Sequence, residues 1–340
     1  MHLKRKGLRL AVCASSVLAL LAWAPAQAAE AKKRVHVQYV SKPPSKSAVK
    51  TAVKSHPNRK TAVKSHPNRK TPVKSYSNRK TAALTIADLP DLKSSAALVI
   101  DLHDGRTIYS KNTQNVTPIA SITKLMTAMV VLDAGVGLDE TLYISSADLD
   151  FVKHTNSRLA LGTGLSRRDL LHLALMSSEN RAAAALGRTY PGGSEAFVAA
   201  MNRKALELGM WDTRFVDATG LSSDNVTTAQ DLVKMVRGAY QYSLIREFTT
   251  TPAHEVETLA GRAMQFRNSN GLIKNPDWEI GLSKTGYISE AGRCLVMQAR
   301  IVERPVVIVL LDSSGKLTRI GDANRIRKWM ETHFGRKPLG

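Results

Sequence analysis

The sequence predicts a mixed α/β fold in which strands from both ends of one domain form a single sheet with helices on both faces. Apolar segments with strand-like alternation come first and return near the end of the chain, while those between them repeat with the period of a helix. At 340 residues, 43% of them hydrophobic, the chain can bury a sizeable core.

Strands are expected at both ends of this domain. Residues 96–102 and 107–110 are separated by His103-Asp104-Gly105, a turn sequence, and therefore predict a β-hairpin. The later strands are expected through Lys284, at residues 293–302 and at residues 305–311.

Helices are expected between the two groups of strands and after the last strand. Each of these segments carries apolar residues at helical spacing, and several begin at a residue that commonly caps a helix. They are residues 121–133, 166–176, 180–188, 194–208, 228–242 and 316–333.

The first 28 residues have the features of a secretory signal peptide. Four basic residues precede an apolar run from Leu10 to Trp23, and Ala26-Gln27-Ala28 supplies small residues for cleavage. A membrane-spanning helix needs about 20 apolar residues, more than this run provides. We therefore expect export, with a mature chain that starts at Ala29 and carries no transmembrane anchor.

Residues 29–82 are expected to be a disordered basic linker. The decamer TAVKSHPNRK occurs twice from residue 51, and an altered third copy ends at Lys80. The repeat offers too little apolar surface to fold. The linker could act as a spacer, contact anionic groups of the cell envelope or bind a polynucleotide. His56 and His66 recur in the linker, but their spacing in a disordered segment defines no coordination geometry for a metal ion.

The net charge of +21 comes mainly from this linker. Residues 31–80 contain fifteen Lys or Arg and no Asp or Glu, and residues 81–340 carry only +3. A domain at 83–337 that is so close to neutral gives no reason to expect nucleic-acid binding. Cys13 would leave with the signal peptide, and Cys294, in an apolar strand, is expected to be a buried packing residue without chemistry.

Ser121 and Lys124 are the first candidate catalytic residues. Residues at i and i+3 share a helix face, so the lysine amine can approach the hydroxyl and accept its proton if burial keeps the amine neutral. The pattern S-x-x-K also occurs at Ser47, Ser77 and Ser313. Only the match at Ser121 lies in a long apolar helix.

Two further patterns supply groups for binding and proton transfer. Ser178-Glu179-Asn180 falls at a joint between helices, where Ser178 could relay a proton or simply cap the next helix, and Asn180 could bind a substrate amide. The same S-x-N pattern recurs at residues 223–225. Lys284-Thr285-Gly286 could bind a carboxylate and let a substrate backbone lie against the strand.

Together these three patterns resemble the serine penicillin-binding protein and β-lactamase superfamily. PIASITKLMTAMVVLDA, LLHLALMSSENRAA, DATGL and GLSKTGYISEAGRCLVMQ are similar to the low-molecular-mass DD-peptidases, especially the D-alanyl-D-alanine endopeptidases. The resemblance spans about residues 83–335. It implies a β-lactamase/DD-peptidase-like αβα sandwich with a mainly antiparallel sheet formed by the N- and C-terminal segments.

The resemblance also implies a role for each candidate residue. Ser121 would attack the D-alanyl carbonyl, Lys124 would accept its proton and Ser178 would relay a proton to the leaving amine. Asn180 would hold the substrate amide, Lys284, Thr285 and Gly286 would bind beside the scissile bond, and the backbone N–H groups of Ser121 and Tyr287 would form the oxyanion hole. No cofactor or metal is implied.

The same resemblance implies peptidoglycan stem peptides as substrates and β-lactams as covalent inhibitors. The membrane-attached carboxypeptidases of this superfamily add a β-rich domain and an anchor. Only 56 residues follow Lys284, which leaves no room for either, so we favour endopeptidase over carboxypeptidase activity. A β-lactamase is less favoured, since no E-x-x-L-N lies between Asn180 and Lys284. The alternative from another class is a non-catalytic cell-wall binder that acts through the basic repeats.

Overall fold

The computed structural model describes residues 89–335. The signal peptide and the basic linker predicted from the sequence lie outside the described residues, as do the outermost residues of the expected domain. Within the described part, no helix has the length and apolar character needed to span a membrane.

Strands and helices follow one another in nearly the predicted order. The strands are β1 Ala96–Asp101, β2 Thr107–Lys111, β3 Thr117–Pro118, β4 Thr141–Tyr143, β5 Gly164–Ser166, β6 Val226–Thr227, β7 Ala253–Glu257, β8 Ala263–Arg267, β9 Glu279–Ile288, β10 Gly292–Ile301 and β11 Arg304–Ser313. The helices are α1 Lys124–Asp133, α2 Arg167–Met176, α3 Asn180–Arg188, α4 Gly193–Glu207, α5 Ala229–Ala239, α6 Ser243–Thr250 and α7 Thr318–Phe334.

Five strands form the main sheet in the order β2-β1-β11-β10-β9, and each neighbouring pair is antiparallel. The register places Leu98 opposite Val309 and Val296 opposite Lys284. The first and last strands of the domain therefore meet at the centre of the sheet, as predicted. β9 is an edge strand, so one of its sides has no neighbouring strand among residues 89–335.

The two faces of the sheet contact different helices because successive strand residues point to opposite sides. Leu98 and Val309 belong to the larger apolar core, which is shared with α1 to α6. Val99 and Ile308 belong to a second core that includes Met330 of α7. The prediction of helices on both faces is confirmed.

Several features of the fold were not predicted, among them α6 and the hairpin of β7 and β8. The expected helix 228–242 ends at Ala239, and α6 follows after a turn at Tyr240 and Tyr242. The hairpin of β7 and β8 buries only alternate residues such as Val256 and Phe266 and exposes the polar ones between them. Such a short, half-exposed pair carries a weak apolar pattern, which is why the sequence did not reveal it.

Asp322 of α7 connects the start of the described chain to its last helix. Its side chain is fully buried and accepts hydrogen bonds from the backbone N–H of Ser94 at 2.7 Å, from the Ser94 hydroxyl at 2.6 Å and from the backbone N–H of Lys93 at 3.1 Å. Arg325 adds an ion pair from the partly exposed side. This carboxylate thus fixes the segment that enters β1 against α7.

We expect Asp322→Ala to lower the free energy of unfolding by about 3 kcal/mol, because it leaves the backbone N–H groups of Ser94 and Lys93 without their acceptor. Asp224→Ala is a matched control, since Asp224 forms only an exposed ion pair with Arg214 and its loss should cost less than about 0.5 kcal/mol. Urea unfolding of the two variants measures the difference. Equal stability of the two variants would contradict the role assigned to Asp322.

Candidate active site

Ser121 lies in a 3-10 turn, Ala120–Thr123, that leads directly into α1. The helix therefore begins at Lys124 and not at Ser121 as predicted, although the two side chains still share one face. Ala120 has a positive φ of 50° and packs against Gly220, whose φ is also positive. A Cβ on Gly220 would lie 2.0 Å from the carbonyl oxygen of Ala120, so only glycine fits there.

The Lys124 amine is completely buried and lies among three oxygen atoms. Its Nζ is 2.8 Å from Ser121 Oγ, 2.8 Å from Asn180 Oδ1 and 2.6 Å from the carbonyl oxygen of Thr219. Burial lowers the pKa of Lys124 to about 7, against the opposing attraction of Asp217, Glu179 and Asp150. A substantial fraction of the amine is therefore neutral near neutral pH, as a general base requires.

Ser178 and Asn180 occupy the joint between α2 and α3. Ser178 has a positive φ of 65°, and the residue that caps α3 is Glu179, so the alternative that Ser178 is only a helix cap is wrong. The Ser178 hydroxyl accepts a hydrogen bond from Lys284 Nζ at 2.9 Å. Asn180 accepts from Lys124 and donates to Thr155 Oγ1 at 2.9 Å.

Lys284, Thr285 and Gly286 lie on β9, the edge strand that borders the site. Lys284 is buried, and this burial, with repulsion from Lys124 and Arg319, holds its pKa well below the usual value. Thr285 Oγ1 donates to Ser269 Oγ at 2.7 Å. The contacts of Lys124 with Asn180 and of Lys284 with Ser178 thus bring all three sequence patterns together at one site, here called the cleft.

Gly286 permits a close approach between β9 and the turn that carries Ser121. A Cβ at this position would lie 2.7 Å from the carbonyl oxygen of Ile119 and 3.2 Å from the backbone nitrogen of Ser121. Tyr287 follows directly, and its half-exposed ring lies 4.2 Å from the guanidinium of Arg293. The backbone segments expected to form an oxyanion hole are therefore neighbours.

The loop that carries Thr219 was not assigned a role from the sequence. Asp217 holds this loop by accepting hydrogen bonds from the backbone N–H groups of Thr219, Gly220 and Ser222 at 2.6 to 3.0 Å. Asn225, from the second S-x-N match, is buried and bonds to the backbone of the same loop. The second match is thus structural, and the sequence DATGL was the available signal for the loop.

Arg319 of α7 was also missed. Its Nε and Nη1 atoms are buried and have no hydrogen-bond partner among the described residues. Repulsion from its charge, after burial and the charge of Lys124, contributes to holding the pKa of Lys284 below the usual value. A guanidinium with unused donors next to the cleft is suited to an anionic ligand. No short pattern surrounds Arg319, so the sequence held no signal for it.

Other candidate residues lie apart from this cleft or have no reactive setting. Ser313, the competing S-x-x-K serine of the domain, is buried and bonds to Ser94 Oγ at 2.7 Å. Cys294 is buried and unpaired, as expected, and burial raises the pKa of its thiol to about 12. Within residues 89–335, no cluster of three His, Cys, Asp or Glu side chains is arranged to hold a metal ion.

The arrangement fits acyl transfer to a serine. It combines an alcohol hydrogen-bonded to a buried amine with a pKa of about 7, a second hydroxyl–amine pair at Ser178 and Lys284, and a nearby guanidinium with free donors.

Comparisons with known proteins agree with this chemistry. The D-alanyl-D-alanine endopeptidase of Pseudomonas aeruginosa is 51% identical over 71% of this chain and 78% of its own length. The endopeptidase of the same name from Escherichia coli is 49% identical over 74% of this chain and 81% of its own length. The solved structure of the Streptomyces strain K15 DD-transpeptidase superposes with a TM-score of 0.67 at 28% identity, covering 73% of this chain and 99% of that one.

The structural similarity confirms the fold class predicted from the sequence. Residues 83–315 also match the model of the Peptidase S11 family, described as D-alanyl-D-alanine carboxypeptidase. The chain therefore belongs to this family of serine DD-peptidases.

Proposed function

We propose that this protein is a periplasmic D-alanyl-D-alanine endopeptidase that hydrolyses peptide cross-links of peptidoglycan through an acyl-enzyme on Ser121. One observation carries the proposal: Lys124 Nζ lies 2.8 Å from Ser121 Oγ, and burial lowers its pKa to about 7. Family membership and the names of the two bacterial endopeptidases support the choice of substrate.

The first half of the reaction forms the acyl-enzyme. Neutral Lys124 accepts the Ser121 proton as Oγ bonds to the D-alanyl carbonyl carbon. The backbone N–H groups of Ser121 and Tyr287 stabilise the developing oxyanion. The carbon–nitrogen bond then breaks, and the Ser178 hydroxyl, which is bonded to Lys284 Nζ at 2.9 Å, relays a proton to the leaving amine.

The second half returns the free enzyme. A water molecule gives a proton to Lys124 and attacks the acyl carbon, the ester bond breaks, and Ser121 regains its proton. The product is a stem peptide that ends in a D-alanine carboxylate. β-Lactams acylate the same serine, and the acyl group they leave on Ser121 is released slowly.

Substrate recognition uses both walls of the cleft. Asn180, whose amide lies between Lys124 and Thr155, binds the substrate amide. Thr285 and Lys284 bind the carboxylate beside the scissile bond, as the sequence led us to expect. Arg319 adds the permanent positive charge, because an arginine stays ionised whereas burial lowers the pKa of Lys284.

The main alternative is a D-alanyl-D-alanine carboxypeptidase, the activity for which the matched family is named. A terminal D-Ala-D-Ala and a cross-link both present a carboxylate beside the cut, so the same groups fit either substrate. The endopeptidase assignment is preferred because the relatives at 49% and 51% identity carry that name. The signal peptide and a contact of the basic repeats with anionic envelope groups remain predictions.

Ser121→Ala should abolish both labelling by fluorescent penicillin and cleavage of muropeptide dimers, with a loss of at least about a thousandfold in rate. Ser223→Ala, in the second S-x-N pattern, is the control and should behave as wild type. The measurement is the mass of each product formed from muropeptide dimers and from muropeptide monomers. Release of terminal D-Ala with dimers untouched would assign carboxypeptidase activity, and a fully active Ser121→Ala would remove Ser121 from the mechanism.

The rate of acylation by penicillin should rise with pH up to about 7 and then level off. Lys124 acts as a base only when neutral, and its pKa of about 7 means that the neutral fraction falls about tenfold per pH unit below that value. Stopped-flow or quench measurements between pH 5 and 9 test this, with Lys124→Arg expected to be inactive throughout. A flat profile would contradict the assignment of Lys124 as the base.

Arg319→Gln should raise KM for peptide substrates that carry the carboxylate by at least about tenfold, because it removes a charged donor from the site. Arg300→Gln is the matched control, since Arg300 forms an exposed ion pair with Glu279. Steady-state kinetics on D-Ala-D-Ala peptides and on the corresponding amides show whether the rise in KM requires the substrate carboxylate. Equal losses with both peptides would mean that Arg319 does not bind the carboxylate.

A further inference from the structure

An ion pair between Lys153 and Glu290 connects the two walls of the cleft. Lys153 lies in the loop that runs past Asn180, whereas Glu290 lies in the turn between β9 and β10. The two residues are 137 positions apart in the chain. This contact therefore joins the Asn180 side of the site to the Lys284 side at the rim.

The loop that carries Lys153 is held in place independently of the ion pair. Asp150 accepts hydrogen bonds from the backbone N–H groups of Val152, Lys153 and Thr155 at 2.8 to 2.9 Å, and from Thr155 Oγ1 at 2.7 Å. Thr155 in turn accepts from Asn180. Loss of the Lys153 charge should therefore leave the loop, and its contact with Asn180, intact.

The position of Glu290 relates the ion pair to one half of the substrate. The inference rests here on the proposed function, in which the carboxylate of the leaving half binds at Thr285 and Arg319 and the scissile carbonyl faces Tyr287. The acyl half then continues along the free edge of β9 beyond Tyr287. Glu290 is three residues further on, so this half of the substrate meets the ion pair.

The pair is easy to open and stays ionised. The side chains of Lys153 and Glu290 are 23% and 42% exposed, and exposed ion pairs contribute little to stability. Hydrogen bonds from Lys153 and Ser289 lower the pKa of Glu290 to about 2. Salt concentration, more than pH, therefore governs how strongly the two charges attract.

We propose that Lys153 determines specificity on the acyl side: it exchanges Glu290 for a carboxylate of the bound stem peptide. When an anionic peptide binds, its carboxylate replaces that of Glu290 beside Lys153, so the exchange costs little free energy. The freed Glu290 side chain turns towards solvent. A small β-lactam such as benzylpenicillin does not present a stem peptide to this rim. Lys153 therefore affects the binding of peptides and not the chemistry at Ser121.

Three variants test the proposal in the full-length protein. Lys153→Met removes the cation, and Glu290→Gln leaves Lys153 without its ionic partner. The control is Glu279→Gln, which breaks an exposed ion pair with Arg300 at the other end of β9 and β10. KM and kcat are measured with a muropeptide dimer and with a pentapeptide monomer, which carries the same acyl-side stem, at low and physiological salt. Acylation by benzylpenicillin is measured in parallel.

Lys153→Met should raise KM for both peptides about fivefold or more at low salt, leave kcat within about twofold and reduce the salt dependence of KM. Glu290→Gln should lower KM or leave it unchanged. Benzylpenicillin should acylate all variants within about twofold of wild type.

An unchanged KM in Lys153→Met would overturn the proposal. So would a raised KM in Glu290→Gln, which would make the pair a structural clasp, or an equal loss of benzylpenicillin acylation, which would indicate displacement of Asn180. If wild type cleaves only the monomer, the endopeptidase assignment fails, yet the monomer data still decide the role of Lys153.

Discussion

Burial of the Lys124 amine is the constraint on which the site depends. Burying an ammonium ion away from water costs free energy. In this protein the cost is reduced because the pKa of the Lys124 amine is lowered and three oxygen acceptors surround it. Each acceptor comes from a different element: the turn before α1, the start of α3 and the loop held by Asp217. Packing that buries one nitrogen atom thus determines where three separate segments must meet.

Much of this architecture could be predicted because its signals are local. The hairpin of β1 and β2, the strands of the closing sheet and most helices follow from apolar periodicity. Ser121, Lys124, Ser178, Asn180 and Lys284 lie in short patterns whose spacing already suggests a shared face or joint. That these patterns face one cleft followed from the resemblance to a known family, and the distances now show it directly.

The remaining features depend on contacts between distant residues. Arg319 lies on α7 with unused buried donors, Thr155 contacts Asn180 from a loop, and neither belongs to a recognisable pattern. The close approach of β9 to the turn at Ser121, where an oxyanion hole is expected, depends on Gly286, whose importance is visible only when the backbone of Ser121 lies against it. The boundary at Ser121 was misplaced for a related reason, since a 3-10 turn and an α-helix have similar apolar spacing.

The crowding of Lys284, Lys124 and Arg319 has an energetic consequence for the empty enzyme. Lys124 and Arg319 both oppose ionisation of Lys284, so the site holds electrostatic repulsion that a negatively charged ligand relieves. Attraction of this kind does not distinguish a reactant from a cleaved peptide that retains its carboxylate. On the proposed function, a cleaved leaving half that keeps its carboxylate therefore competes with the substrate for the same charges.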